Sequence, residues 1–214
     1  GEWLLAYCNG RELHSNGFVF SSDGDKLSEL YLGDAIEHMF CSPDGSIWLG
    51  YFDEGIFAFR TVDGSRPISS HAIVQLDTEG ELQWSAAEDG GFDIADCYAL
   101  GLSDDAVWTC FYEAFDIVKI EDAVAKRWSN EVTGASAIAA EGDYVLLAGG
   151  YRAAQNDLTL LRLEGESAKI VNRASLPGDR EGRHLFGRNG TIHVIADGKW
   201  HQVSVRTAVA EMTD

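Results

Sequence analysis

The stretch Ala35-Ile-Glu-His-Met-Phe-Cys-Ser-Pro-Asp-Gly-Ser-Ile-Trp-Leu-Gly-Tyr-Phe-Asp-Glu-Gly-Ile-Phe57 decides the fold. Residues 36–41 read as a strand. Pro43, Asp44 and Gly45 read as a tight turn, because Asp-Gly supplies the positive-φ positions that a two-residue hairpin needs. Ile47-Trp-Leu-Gly-Tyr-Phe52 reads as a second strand, and the acidic, glycine-bearing turn after it leads toward a third.

Working outward, the same grammar recurs. Its core strand reappears as Trp3-Leu-Leu-Ala-Tyr-Cys8, Val107-Trp-Thr-Cys-Phe-Tyr112, Val145-Leu-Leu-Ala-Gly-Gly150 and Ile192-His-Val-Ile-Ala-Asp197. The first residues of the five copies stand at 3, 47, 107, 145 and 192, giving offsets of 44, 60, 38 and 47. Four-stranded propeller blades need roughly 40–50 residues each. The long offset is expected to hold a polar insertion near residues 60–71.

An inner strand is expected before four of the core strands, at 36–41, 95–102, 135–140 and 183–187. Outer strands are expected in pairs at 17–21 and 27–32, 72–76 and 82–85, 117–120 and 126–128, and 158–163 and 168–173. Turn residues such as Asp23-Gly24, Glu79-Gly80, Glu164-Gly165 and Asn189-Gly190 separate them. Helical periodicity is poor, and the two best segments, 122–127 and 206–212, are short.

This pattern predicts an all-β chain: one β-propeller domain over residues 1–214, with five blades of four antiparallel strands. A lone four-stranded sheet cannot bury both faces, whereas sheets packed face to face around an axis can. The terminal blades are expected to be incomplete, the first lacking its innermost strand and the last ending on a third strand at 200–205. Trp48 and Trp108 share one strand position, where an aromatic ring fills the space between blades, and His193 takes that position as a core histidine.

The bulk properties narrow the function. Hydrophobic residues make up 45% of the chain, which marks it as globular. The formal net charge of -19 repels phosphate backbones, which argues against a nucleic-acid role. Cationic partners and divalent metals remain compatible with it. No stretch approaches the ~20 apolar residues of a membrane span, and no signal peptide is visible. Cys8, Cys41, Cys97 and Cys110 form no Cys-x-x-Cys pair and read as free thiols, which fits a cytoplasmic setting.

The residues Ile36, Asp44, Gly45, Ile47, Trp48, Leu49, Gly50, Gly55 and Phe57 resemble the two-component-regulator propeller repeat over about one blade. That resemblance implies a sensor role in bacterial signalling. The blocks Gly50-Tyr-Phe-Asp-Glu-Gly55, Asp96-Cys-Tyr-Ala-Leu100 and Leu146-Leu-Ala-Gly-Gly-Tyr151 look like a wider set of uncharacterised bacterial propeller proteins. This second resemblance implies a fold and supplies no catalytic residues.

Ligands of propellers bind where innermost strands begin and core strands end. Those places hold Glu37, His38, Tyr51, Asp53, Glu54, Asp96, Tyr112, Glu113, Tyr151, Arg152, Arg183 and His184. One reading makes them a pocket for a small molecule or peptide, with Tyr51, Phe52, Phe111, Tyr112 and Tyr151 as aromatic walls. A second is a calcium-dependent hydrolase or lactonase, with Glu37, Asp53, Glu54 and Asp96 as oxygen ligands and His38 or His184 as base. A third leaves the rim charges merely solvated, and a scaffold that takes a protein partner elsewhere is a further alternative. Walker, nucleophile-elbow and zincin signatures are absent from the sequence.

Overall fold

The computed structural model describes residues 1–9, 14–58, 64–103 and 106–213. The chain divides into two compact units, Gly1–Cys97 and Tyr98–Asp214. Both are built of antiparallel meanders, and the fold is all-β of the β-propeller class.

The first unit opens with a three-stranded sheet, β1 (Glu2–Ala6), β2 (Gly17–Ser21) and β3 (Lys26–Leu30). A four-stranded sheet follows, β4 (Ile36–Cys41), β5 (Ile47–Tyr51), β6 (Ile73–Leu76) and β7 (Leu82–Ser85). The β4–β5 turn forms as the sequence predicts. Gly45 takes φ 92°, and the Asp44 carboxylate accepts from the Ser46 N–H at 3.0 Å. Every residue of β5 is buried. Trp48 packs on Trp84 of β7 with ring centroids 5.6 Å apart.

After β5 the chain departs from expectation. The acidic turn forms a short helix, α1 (Asp53–Ile56), rather than leading straight into a strand. A 3-10 turn, Ile68–His71, precedes β6. The buried Ser69 hydroxyl ties the two by donating to the Gly55 carbonyl at 2.8 Å. Residues 60–63 of the expected insertion lie outside the described residues, as do Asp104 and Asp105 of the expected turn before the third core strand.

Strand β8 (Asp96–Leu102) crosses into the second unit. It lies beside β9 (Val107–Tyr112), which pairs with β10 (Ile117–Glu121), and β10 in turn pairs with β11 (Val124–Trp128). Next come β12 (Ala137–Glu141), β13 (Tyr144–Ala148), β14 (Asp157–Glu164) and β15 (Ser167–Ser175), and then β16 (His184–Arg188), β17 (Thr191–Ala196) and β18 (Lys199–Ser204). The tryptophan pairing repeats here, with Trp108 of β9 stacked on Trp128 of β11 at 6.0 Å.

Segment 122–127 is not a helix. Asp122 and Ala123 adopt φ 50° and 61°, the two positive-φ positions of a hairpin turn, and Val124 onward is strand β11. Segment 206–212 is helical, as α2 (Val205–Met212). Its N-cap Ser204 accepts from the Thr207 N–H at 3.0 Å. Val205 and Ala208 seat α2 in the core with Leu146, Leu160 and Val194.

Within this unit the inner strands converge. β16 pairs with β8 in parallel, Gly187 opposite Gly101. A Cβ on Gly187 would stand 1.6 Å from the Ile138 carbonyl oxygen, and one on Gly101 would stand 2.2 Å from it. Two glycines therefore let three inner strands, β8, β12 and β16, meet backbone to backbone.

His193 does not lie in the core. Ile192 and Val194 take the buried face of β17, so strand alternation leaves His193 half-buried on the opposite face. There it stacks on Phe186 at 4.6 Å and accepts from the Trp200 indole N–H at 3.2 Å. Desolvation lowers its pKa.

Candidate functional site

The predicted rim residues fall into both units. In the first unit, Glu37 sits at the start of β4 and Asp96 at the start of β8, and Asp53 and Glu54 form the first turn of α1. Burial and then the Asp96 charge push the Glu37 carboxyl up to about 7. Burial and then the Asp53 and Glu54 charges push Asp96 up to about 6. The Asp96 Oδ1 atom is buried and has no hydrogen-bond partner. These carboxyls exchange protons near neutrality.

Among the described residues, no three His, Cys, Asp or Glu side chains stand close enough to hold a metal ion. His38 is buried and packs over Gly50, where Cys97 also lies; a Cβ on Gly50 would meet the Cys97 sulfur at 2.6 Å.

Tyr51 is not a pocket wall. It is fully buried, and its hydroxyl donates to the Leu32 carbonyl at 2.7 Å. Phe111 is likewise buried, while Phe52 is exposed. Alternation along a strand assigns residues to two faces but does not say which faces are covered.

The second unit gathers a ring cluster. Tyr98, Tyr112, Phe115 and Tyr151 meet with centroid separations of 5.6–6.1 Å. Phe115 is buried at its centre, while Tyr112 and Tyr151 remain 39% and 42% exposed. The Tyr151 hydroxyl donates to the Tyr98 hydroxyl at 2.5 Å. The Tyr151 ring lies against Gly134, where a Cβ would approach it within 2.6 Å. Tyr151, Arg152, Gln155 and Thr133 line an open cavity of about 730 Å³.

Arg183 braces this cavity. Its guanidinium donates to the Gln155 carbonyl at 2.6 Å and to Asn156 Oδ1 at 3.0 Å. This holds the 3-10 turn Arg152–Asn156 that carries two of the lining residues. Desolvation and then Arg180 lower the Arg183 pKa. Glu113 and His184 are exposed.

The structure thus joins the predicted Tyr112, Tyr151, Arg152 and Arg183 in one neighbourhood. Tyr98, Phe115, Thr133 and Gln155 were missed by sequence reasoning. Only Tyr98 left a signal, standing between the buried Cys97 and Ala99 on the less covered face of β8.

No family model matches the chain, and no curated protein matches it. Solved structures do. The extracellular domain of a B. thetaiotaomicron protein described as a one component system is similar with TM-score 0.54 and 12% identity, over 96% of this chain and 26% of that one. A chain of the nidogen/laminin complex is similar with TM-score 0.51 and 10% identity, over 95% of this chain and 78% of that one. A Bacteroides uniformis protein described as a 6-phosphogluconolactonase is similar with TM-score 0.50 and 9% identity, over 94% of this chain and 67% of that one. This chain therefore spans between about a quarter and four fifths of these solved chains. At such identities the likeness shows the fold alone. No described helix is long and apolar enough to cross a membrane.

Proposed function

We propose that this chain is a binding module whose site is the tyrosine cluster of the second unit. The observation that carries this reading is the pair of half-exposed rings, Tyr112 and Tyr151, held over a buried Phe115 beside an open cavity. Exposed aromatic surface next to a few fixed polar groups is the usual make-up of a ligand site. Tyr112 and Tyr151 offer flat apolar faces, and Arg152 offers a cation. The Thr133 hydroxyl and the Gln155 amide add short-range polar contacts. This combination suits a small molecule or peptide with an apolar face and a carboxylate or other anionic group. A sensor role, implied by the repeat resemblance around Trp48, is one use to which such a module is put.

The test is a thermal-shift and calorimetric screen of the intact chain. Its probes are aromatic carboxylic acids and short peptides with a free carboxyl terminus. A ligand that binds the native state raises the melting temperature in proportion to its concentration over Kd. Tyr151→Ala and Arg152→Ala should each weaken any hit at least tenfold, while Glu37→Gln should leave it unchanged. Hits that ignore both Tyr151→Ala and Arg152→Ala would rule out this cleft.

A further inference from the structure

A second cavity, of about 390 Å³, is lined by described residues of the first unit alone. Three segments build it: the end of α1, the 3-10 turn Ile68–His71 with Arg66 and Pro67 before it, and the stretch that follows β7. The Ser69 hydroxyl, donating to the Gly55 carbonyl, ties the first two. The third is held by the Phe92 N–H, which donates to the Ala86 carbonyl at 2.9 Å. Gly90 lets the Phe92 ring settle there, since a Cβ on Gly90 would meet that ring at 2.7 Å.

The lining is apolar at its base and charged at its edge. Ile56, Pro67, Ala72 and Ile94 are buried, and Phe92 is partly so. Arg66 and Asp93 are exposed. Among the described residues, neither makes an ion pair, with the other or with any third group. An arginine left unpaired in a chain of net charge -19 is a group with its counter-charge still to find. Ser70 lines the same cavity, and its Oγ atom is buried with no hydrogen-bond partner. Turning that hydroxyl toward a ligand breaks no existing bond.

One cation, one anion and one idle hydroxyl around an apolar hollow match a zwitterion with an apolar tail. The Arg66 guanidinium suits a carboxylate, which it grips as a fork. The Asp93 carboxylate suits an ammonium group, and the tail displaces water from Ile56, Phe92 and Ile94. Ligand pockets run from ~300 to ~1,000 Å³, so this volume lies near the small end and suits a single amino acid. A ligand of one sign only would leave Arg66 or Asp93 facing its own charge or none.

We propose that this cavity binds a free α-amino acid with an apolar side chain, its carboxylate on Arg66 and Ser70 and its ammonium on Asp93. The site is independent of the Tyr151 cleft, which belongs to the other unit.

Calorimetric titration of the intact chain with leucine and with phenylalanine tests this. The expected result is binding that Arg66→Gln and Asp93→Asn each weaken at least tenfold and Tyr151→Ala leaves unchanged. Both charged residues are exposed, so circular dichroism of the two variants should match the wild type. For phenylalanine, 3-phenylpropanoate lacks the ammonium and phenethylamine lacks the carboxylate; each should bind at least tenfold more weakly. Ser70→Ala should weaken binding yet raise the melting temperature of the ligand-free chain, because it removes a buried hydroxyl that has no partner. No binding of either amino acid at millimolar concentration overturns the proposal. So does binding that ignores Arg66→Gln or Asp93→Asn, or an analogue with one charge that binds as well as phenylalanine. Binding lost in Tyr151→Ala but kept in Arg66→Gln would place the amino acid in the other cleft and overturn this assignment alone.

Discussion

The Tyr151 hydroxyl donates to the Tyr98 hydroxyl at 2.5 Å, joining two residues 53 positions apart in the sequence. The bond orients the Tyr151 ring against Phe115 and leaves its outer face open. A residue half in the core and half in the cleft is thereby fixed by one polar contact. Tyr98→Phe should cost about 1 kcal/mol, the net worth of an ordinary hydrogen bond. Tyr151→Phe should cost about the same, and the double variant no more than either single one. Urea unfolding of the four proteins closes the cycle, and additive losses would show that the hydroxyls do not act together.

Tyr51 separates structure from function. Its phenol is buried, and burial raises its pKa well above the usual value. Tyr51→Phe removes the donor to the Leu32 carbonyl and should destabilise the chain by about 1–2 kcal/mol. Calorimetric affinity for any ligand of the Tyr151 cleft should be unchanged. A loss of affinity without a loss of stability would return Tyr51 to the site.

The carboxyls of the first unit set a pH dependence. Glu37 stands at about 7 and Asp96 at about 6, against unperturbed values of 4.5 and 3.8. Both are raised in the folded state, so the unfolded chain releases its protons first. Stability is therefore undiminished by these groups below about pH 4 and declines as pH rises through about 6 and 7. Melting temperatures measured from pH 4 to 8 should fall across that window. Glu37→Gln should flatten the fall and raise the melting temperature at pH 8. An unchanged slope in that variant would mean that burial of Glu37 does not set the pH dependence.

Gly187 is required by backbone contact. Any Cβ there collides with the Ile138 carbonyl, which no rotamer change relieves. Gly187→Ala should cost about 3 kcal/mol or more, at the severe end for overpacking. Gly142→Ala is the control, since nothing lies within 4 Å of its Cβ position; its φ of 60° makes a smaller backbone penalty the expected effect. Denaturant midpoints for the two variants should differ in that order.

The thiols should label in a fixed order. The four cysteines form no disulfide; Cys8 is exposed, Cys41 partly exposed, and Cys97 and Cys110 buried. Burial, with Asp116 nearby, pushes Cys110 up to about 12, which leaves little thiolate. Ellman titration should find Cys8 fast, Cys41 slower, and the other two only in denaturant. Prompt reaction of Cys97 or Cys110 would contradict the packing around them.

The sequence by itself determined where the strands run. Ile36–Cys41, Gly17–Ser21, Leu82–Ser85 and Val107–Tyr112 are strands with the bounds their composition predicts, because alternation and Asp-Gly turns are local signals. It failed where a choice was not local. Residues 122–127 became a hairpin once Asp122 and Ala123 took positive φ, and the turn after Phe52 became a helix packed beneath Ser69. Of the candidate site, the sequence could name Tyr112, Tyr151, Arg152 and Arg183. It could not tell that Tyr51 points into the core, or that Tyr98, Phe115 and Gln155 would join the cleft. A period of two divides a strand into two faces, but only the tertiary structure decides which face another sheet covers. His193 and Val194 are neighbours on β17, and packing alone leaves one beside Trp200 and seals the other in the core.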